Sequence, residues 1–365
     1  MANKKKIAII GLKGLPAFGG AASAGEHVIE QLADKYDFTV YSTASHTSHR
    51  GLYKGANQIV FKKFPIRSLN VLYYYVRSAW HVVTNKYDLV HLHQMDAAFI
   101  LLLLRLRYKV VATSHGLTYK TGKWSKLLYP YFKLNEWMQA SLSNHLTVVA
   151  KSLVSHYAAI VPESKISYIP NGINLSTESA VDRQDGDFIL FAAGRIISIK
   201  GLHLLLPALR KLNYKGKLIV LGDLDQIKEY KAEILALSDG LDVEYKGLIR
   251  DKAKLNSYIA GAKLFVFPST QEAMSMMLLE VASLKTPIIS SDIVENTDIF
   301  TESDVRFFKS GSVEDLGEKI QLALADGDEM KKRAMHAYAT LEDKYQWVSI
   351  SKQYDEIYRK VMDPS

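Results

Sequence analysis

The chain has 365 residues, 48% of them hydrophobic and 23% charged, and no cysteine; this suits two soluble domains with ordinary cores and excludes disulfides and thiolate metal sites. No run approaches the roughly 20 apolar residues of a membrane-spanning helix. Charge is uneven: residues 1–170 hold 21 Lys and Arg against 8 Asp and Glu, a balance of +13, while residues 171–365 hold 25 against 30, a balance of −5, so the first half is expected to face something anionic, nucleic acid or a membrane surface, unless the charge merely drifts between domains.

In chain order, "MANKKKIAII" runs straight into a strand pattern and leaves no room for a signal peptide, which makes a cytosolic protein the simplest expectation. Strands are predicted over 5–12, 38–42, 58–64, 88–93, 109–115 and 145–150, with helical periodicity between them, as in "AGEHVIEQLADKY" and "WSKLLYPYFKLNEWMQASL". "AAFILLLL" (97–104) stops at Arg105 and reads as a core helix. The polar segment "YIPNGINLSTESAVDRQDGD" (168–187) breaks the rhythm with Pro, Asn-Gly and Asp-Gly, as an interdomain linker does. Strand patterns resume over 187–194, 216–223, 241–247, 263–269 and 286–292, and "YQWVSISKQYDEIYRKVM" closes the chain as an amphipathic helix. Strand, crossover helix, strand is the pattern of a parallel sheet covered on both faces. The expected fold is α/β: two doubly wound Rossmann-like domains facing across a cleft, residues 1–170 and 187–344, joined by a linker over 171–186. The terminal helix, 345–365, is counted with the first domain.

Ligands of open parallel sheets bind at the carboxyl ends of the strands, and the notable residues fall there. "GLKGLPAFGG" (11–20) follows the first strand; it does not match GxGxxG, but Gly19 and Gly20 at a helix start would let backbone N–H groups approach a phosphate. "TSHG" places His115 at the end of another strand, as a structural histidine or as a site residue. "AAGRIISIKG" (192–201) sets Arg195 and Lys200 at a strand–helix junction, where a guanidinium fork and an ammonium suit a pyrophosphate; solvated surface cations are the plain alternative. "STQEAMSMMLLEVAS" (269–283) follows a strand and carries Glu272 and Glu280. With 275–283 helical, its first amides would favour phosphate charge, and two carboxylates on a span of about 12 Å could each accept from a diol at opposite ends of one elongated ligand.

The pieces "IPNGI", "GRIISIKG" and "FVFPSTQEAMSMMLLEVAS", in this chain order, resemble the retaining family-4 glycosyltransferases (glycosyl transferases group 1), whose architecture is called GT-B. Their Glu, seven residues, Glu hallmark is matched by Glu272 and Glu280, and the terminal "QWVSISKQYDEIY" is similar to a segment that packs back on the first domain. The resemblance implies that Arg195 and Lys200 bind the donor diphosphate, Glu280 the ribose and Glu272 the donor sugar, with backbone amides near Ser275 and Met276 assisting. His115 corresponds to a histidine beside the reacting sugar, and Gly19 and Gly20 to a glycine pair near the phosphates. Ser275 stands where the family often has glycine and Met274 where it has a bulky aromatic, which leaves sugar and acceptor open. The Asp-x-Asp spacings at 185–187, 223–225 and 326–328 are not read as the motif that metal-using transferases carry, and no metal or other cofactor is expected.

Cations and aromatics alternate in "FKKFPIRSLNVLYYYVRSAW" (61–80) and "KTGKWSKLLYPYFK" (120–133), the composition of an interfacial membrane segment. In the first of these, Tyr74, Tyr75 and Trp80 read equally well as core residues; in the second, Lys120, Lys123, Trp124 and Lys126 are the candidate acceptor or membrane contacts. The expected partners are a nucleotide-sugar, UDP-linked as the commonest choice, a glycan or lipid-linked acceptor, and an anionic membrane surface, but not nucleic acid. The enzyme would then sit in the cytoplasm, peripheral to the inner face of the membrane. A soluble transferase, a GT-B sugar-nucleotide epimerase and a non-catalytic membrane or nucleic-acid module are the competing expectations, the last leaving the glutamate pair unexplained.

Overall fold

The computed structural model describes residues 4–17, 20–66, 69–117, 119, 126–175 and 186–363. The chain divides into two compact units, Met1–Gly172 with Trp347–Ser365, and Ile173–Gln346. The divisions fall two residues beyond the sequence-drawn limits at 170 and 344. Much of the polar segment taken as a linker, 176–185, lies outside the described residues.

In the first unit β1 (Lys5–Lys13), β2 (Tyr36–Thr43), β3 (Gly51–Tyr53), β4 (Ala56–Phe61), β5 (Leu89–Leu92), β6 (Lys109–Ser114), β7 (His145–Val148) and β8 (Ile166–Tyr168) form one sheet in the order β3-β4-β2-β1-β5-β6-β7-β8. Neighbours are parallel except β3 and β4, a hairpin turned at Lys54 and Gly55 with φ of 45° and 83°, the left-handed pair that a tight hairpin needs. The central strands are largely apolar because helices cover both faces; β5 is buried along its whole length, His91 included. In the second unit β9 (Phe188–Arg195), β10 (Lys217–Asp223), β11 (Val243–Gly247), β12 (Leu264–Phe267), β13 (Ile288–Ser291) and β14 (Arg306–Phe308) form an all-parallel sheet in the order β11-β10-β9-β12-β13-β14. Both orders run outward from the first strand and then reverse, so each sheet has a switch point, between β1 and β5 and between β9 and β12. Loops diverge there at the carboxyl ends and leave a crevice.

The last helix, Trp347–Met362, completes the first unit by packing on the helix Gly20–Leu32 and on β6. Trp347, Ile350, Tyr354, Tyr358 and Val361 form its buried stripe at helical spacing. Trp347 is 1% exposed, stacks on His27 with ring centroids 5.1 Å apart, and leaves no room at Gly172, where a Cβ would come within 2.7 Å of the indole. Asp355 accepts from Lys35 Nζ at 2.8 Å and Tyr36 OH at 2.6 Å. One expectation needs correcting. "AAFILLLL" is a 3₁₀ segment, Met95–Ile100, followed by one helical turn, Leu101–Leu104; Leu101 and Leu104 are buried, but Leu102 and Leu103 are 57% and 41% exposed, because a single turn against the sheet can bury only one side.

Candidate active site

The second unit builds its site from the two loops that leave β9 and β12 on either side of the switch point. β9 ends on Arg195, whose guanidinium is exposed and has no hydrogen bond or ion pair with a described residue. The chain then closes a 3₁₀ turn, Ser198–Lys200, on Gly201 at φ 76°, which starts the helix Leu202–Lys211. A Cβ on Gly201 would sit 2.0 Å from the carbonyl oxygen of Pro268, so only glycine lets the two loops touch. They are stitched by Thr270 N–H and Ser269 Oγ, both donating to Ile199 O, at 2.8 and 2.9 Å.

This contact carries Lys200 onto Glu272, Nζ to Oε1 at 2.6 Å, and the same oxygen accepts from Ser269 Oγ at 2.7 Å. Ser291 Oγ donates in turn to Ser269 O, and Asn296 Nδ2 donates to Ser291 O at 3.1 Å. A buried polar chain therefore fixes the loop that bears Glu272. Ser275 is buried and precedes the helix Met276–Ser283, with no side chain capping its first turn. The first amides of that helix present partial positive charge beside Met276, suited to an anion. Glu280, further along, pairs with Lys252 Nζ at 2.6 Å. Lys252 opens the helix Lys252–Gly261, which Asp251 caps by accepting from the amides of Ala253 and Lys254. The loop "KGLIR" thus leads to the neighbourhood of Glu280, Arg195 and Lys200 stand on one side of the switch point, and Glu272, Ser275 and Met276 on the other.

The first unit holds the remaining candidates. His115 follows β6, with its Nε2 3.1 Å from His93 Nδ1 and the two rings stacked. His93 lies against His91, which contacts Tyr358 OH at 2.6 Å and Thr113 Oγ1 at 2.7 Å. Burial lowers the pKa of His91 to about 3 and of His115 to about 4, and pushes His93 well down, so all three rings are neutral near pH 7. Gly20 opens the helix Gly20–Leu32 and is exposed. Gly19, Lys120, Lys123 and Trp124 lie outside the described residues, as does the side chain of Lys126. Among the described residues, no three or more His, Asp and Glu side chains are grouped to hold a metal ion, and no helix is long and apolar enough to cross a membrane.

A model of the glycosyl transferases group 1 matches residues 177–340, and a model of glycosyltransferase family 4 matches residues 18–177. The chain belongs to the family 4, group 1 glycosyltransferases. It is 25% identical over 298 residues to a 2-deoxystreptamine N-acetyl-D-glucosaminyltransferase of Niallia circulans, covering 75% of this chain and 76% of that one. It is 23% identical over 184 residues to the capsular polysaccharide biosynthesis glycosyltransferase CapM of Staphylococcus aureus, covering 49% and 48%. An uncharacterized 41.2 kDa protein in the cps region of Klebsiella pneumoniae matches at 22% over 242 residues, 60% of this chain and 64% of its own length, so the chain spans less than two thirds of two of these three relatives. The fold is shared with a sucrose-phosphate synthase from Thermosynechococcus elongatus, with a TM-score of 0.82, 18% identity and 99% and 100% coverage. It is also shared with Anabaena HepE, solved in complex with UDP and glucose, with a TM-score of 0.79, 18% identity and 97% and 99% coverage.

Sequence reasoning missed three parts of this candidate site: the Lys200–Glu272 pairing, the Ser269–Ser291–Asn296 support behind it, and the Lys252–Glu280 contact. The usable signal was "FPS" and "ISSD", small hydroxyls at the carboxyl ends of two neighbouring strands. Two histidines at alternate positions, His91 in β5 and His93 just past its end, likewise pointed towards the face that His115 joins.

Proposed function

We propose that this glycosyltransferase moves a sugar from a nucleotide-sugar, UDP-linked, to a hydroxyl of a lipid-linked glycan acceptor, with retention of configuration, in the synthesis of a cell-surface polysaccharide or glycolipid at the inner face of the membrane. The observation that carries the proposal is the seam at the second switch point, where the Arg195–Lys200 loop and the Glu272–Glu280 segment meet. The names of relatives support the product class: CapM, and a lipopolysaccharide 1,2-N-acetylglucosaminetransferase of Salmonella typhimurium that is 24% identical over 240 residues. The HepE complex with UDP and glucose supports the donor class.

Cleavage of the sugar–phosphate bond leaves positive charge on the sugar and added negative charge on the diphosphate. Cations fixed beside that diphosphate stabilise the transition state more than the ground state. Arg195, with its guanidinium unengaged among the described residues, takes a bidentate place on the phosphates, and Lys200 adds a point charge that does not depend on a metal. The amides that open the helix after Ser275, including that of Met276, add to the anion site, and Gly19 and Gly20 are assigned to the phosphates on the family resemblance alone. Glu280 accepts from the ribose diol and Glu272 from hydroxyls of the transferred sugar, and His115 is assigned to the reacting sugar on the family resemblance alone. The acceptor oxygen attacks the anomeric carbon from the face the phosphate leaves. Its proton passes to a diphosphate oxygen, so no covalent sugar–enzyme bond is needed. Lys120, Lys123, Trp124 and Lys126 are proposed to meet the acceptor.

A soluble acceptor is the second reading, favoured by the relative named for 2-deoxystreptamine, a small molecule, across 75% of this chain. The deciding experiment is a thermal-shift titration with UDP, GDP, ADP and CMP, repeated on Glu280→Ala. A rise in melting temperature with one nucleotide, weakened in the variant, is the expected result. No rise with any of them would return both glutamates to structural duty.

A further inference from the structure

The helix Tyr129–Leu142 buries polar side chains beside Phe132 and Ala140 and turns large apolar ones outward. Asn135, Glu136 and Gln139 on its inner side are at most 1% exposed, whereas Leu134 and Trp137 on its outer side are 51% and 50% exposed. A helix packed on a water-facing domain does the reverse. The inner polar groups hold it this way: Asn135 Oδ1 accepts from Phe99 N at 2.9 Å, Gln139 Nε2 donates to Thr113 O at 3.1 Å, and Glu136 lies 2.7 Å from both Lys133 Nζ and His156 Nε2. Rolling the helix over would strand these groups, so its apolar side is fixed outward.

Its neighbours have ordinary apolar inner sides but also leave large apolar side chains outside. The helix Asn70–Thr84 exposes Leu72, Val76 and Trp80, spaced four apart, at 46%, 50% and 60%. Packed against both helices, the stretch Met95–Leu104 exposes Leu102 and Leu103 and runs on to Leu106 at 84%. The charge around this face has one sign. Residues 61–142 carry 12 Lys and Arg and three acids. Asp88 pairs with Lys5, Asp96 with Lys13, and Glu136 is buried with Lys133, whereas Arg77, Arg105 and Arg107 are exposed. Nearby, a cavity of about 300 Å³ is lined by Lys109, His145, Lys165 and Lys360. Burial and then the charge of Arg105 lower the pKa of Lys165.

We propose that this face of the first unit docks on an anionic lipid bilayer, with Trp80, Leu106, Leu134 and Trp137 entering the acyl boundary and Arg77, Arg105 and Arg107 meeting headgroup phosphates. Large apolar side chains ringed by cations are what an interfacial segment needs. A second copy of the chain is a poor occupant, because it would bring two cationic rims together. The docking deepens the proposed lipid-linked acceptor and rests on that proposal for its purpose, but it is measured without any sugar transfer.

The test is co-sedimentation of the full chain with vesicles of phosphatidylcholine, with and without phosphatidylglycerol, at low and high salt. Tryptophan emission is followed throughout, and the triple variant Trp80→Ser, Leu106→Ser, Trp137→Ser is run alongside. The expected result is binding to the phosphatidylglycerol vesicles with a blue shift, release by salt, and at least about tenfold weaker binding by the variant, whose UDP-dependent thermal shift is unchanged. Absence of binding, equal binding to pure phosphatidylcholine, equal binding by the variant, or a wild-type dimer that the variant loses would each overturn the docking. A wild-type UDP shift without vesicle binding removes the docking alone. Vesicle binding without a shift by UDP, GDP, ADP or CMP removes the nucleotide-sugar proposal and leaves the docking standing.

Discussion

The ammonium of Lys200 lies 2.6 Å from a carboxylate oxygen of Glu272, across the seam between the loops that follow β9 and β12. Their side chains are 23% and 9% exposed, so the attraction is only partly screened, and Ser269 supplies a second donor to the same oxygen. A diphosphate arriving at this seam competes with the carboxylate for the ammonium. The pair is therefore both a fastening between two loops and a contact that the proposed donor has to rearrange.

Lys200→Met should lower the melting temperature more than Glu272→Gln. Without the ammonium, a desolvated carboxylate is left behind, whereas the side-chain amide introduced by Glu272→Gln would still accept from Ser269 and Lys200. Loss of one partner of a fully buried pair costs about 3–5 kcal/mol, and the quarter-exposed Lys200 places this pair below that range. Both variants should slow UDP release from a UDP-sugar on the order of 10²–10³-fold. An unchanged melting temperature in Lys200→Met would show that the pair does not fasten the loops.

Gly201 and Gly194 make a controlled comparison within "GRIISIKG". Gly201→Ala has to hold a side chain at φ 76° and 2.0 Å from Pro268 O. The left-handed conformation alone costs about 1–3 kcal/mol, and the clash adds to it. A Cβ at Gly194 meets nothing within 4 Å, so Gly194→Ala should change stability by no more than about 0.5 kcal/mol. Urea midpoints of the two variants measure this. Equal midpoints would mean that the loop seam relaxes freely.

Lys252 is 56% exposed, and its pairing with Glu280 is worth at most about 1 kcal/mol. Lys252→Ala should leave nucleotide affinity within about threefold of the wild type, while Glu280→Ala should weaken it by about tenfold or more, one charge-assisted hydrogen bond or so. Calorimetric titration with the preferred nucleotide compares them. A larger loss in the lysine variant would make Lys252 itself the nucleotide contact.

The three histidines of the first unit set a direction for acid stability. Their folded pKa values, about 3 for His91, about 4 for His115 and well down for His93, lie below the ordinary value near 6.5. Over that interval the unfolded chain binds more protons. The stabilisation is thus fully present above about pH 6.5 and is lost as pH falls towards about 4. The urea midpoint should be lower at pH 5 than at pH 7.5, and His115→Asn should narrow the gap. A midpoint independent of pH would mean that the rings are not held neutral by burial.

The long apolar strands of both sheets were legible in the sequence because burial on two faces leaves a continuous run. β3, β8 and β14 were not, since three residues are too few to display any period. The doubt over "VLYYYVRSAW" resolves residue by residue: Tyr74 and Tyr75 are buried, Trp80 is 60% exposed. Helical periodicity shows that a segment has two faces, but it does not show which one turns inward. That is why the polar inner side of Tyr129–Leu142 was invisible until Asn135, Glu136 and Gln139 had partners. The positions of the site residues after strands could be read locally. The bond between Lys200 and Glu272, 72 residues apart, could not, because a contact of that kind belongs to strand order rather than to any local stretch.

The place of the helix Trp347–Met362 in the first unit bears on how the protein is made. Its Trp347 fills the space beside Gly172, and its Tyr358 and Asp355 reach His91, Lys35 and Tyr36. These are translated after the entire second unit. At about 5–20 residues per second, the 190 residues from Ile173 to Met362 take roughly 10–40 s to appear. Throughout that interval the nascent first half shows its surroundings an unfilled seat for the helix, alongside its outward-facing leucines and tryptophans. The order of synthesis thus hands the more basic and more apolar-surfaced unit to chaperones first, and lets the other unit finish folding before it.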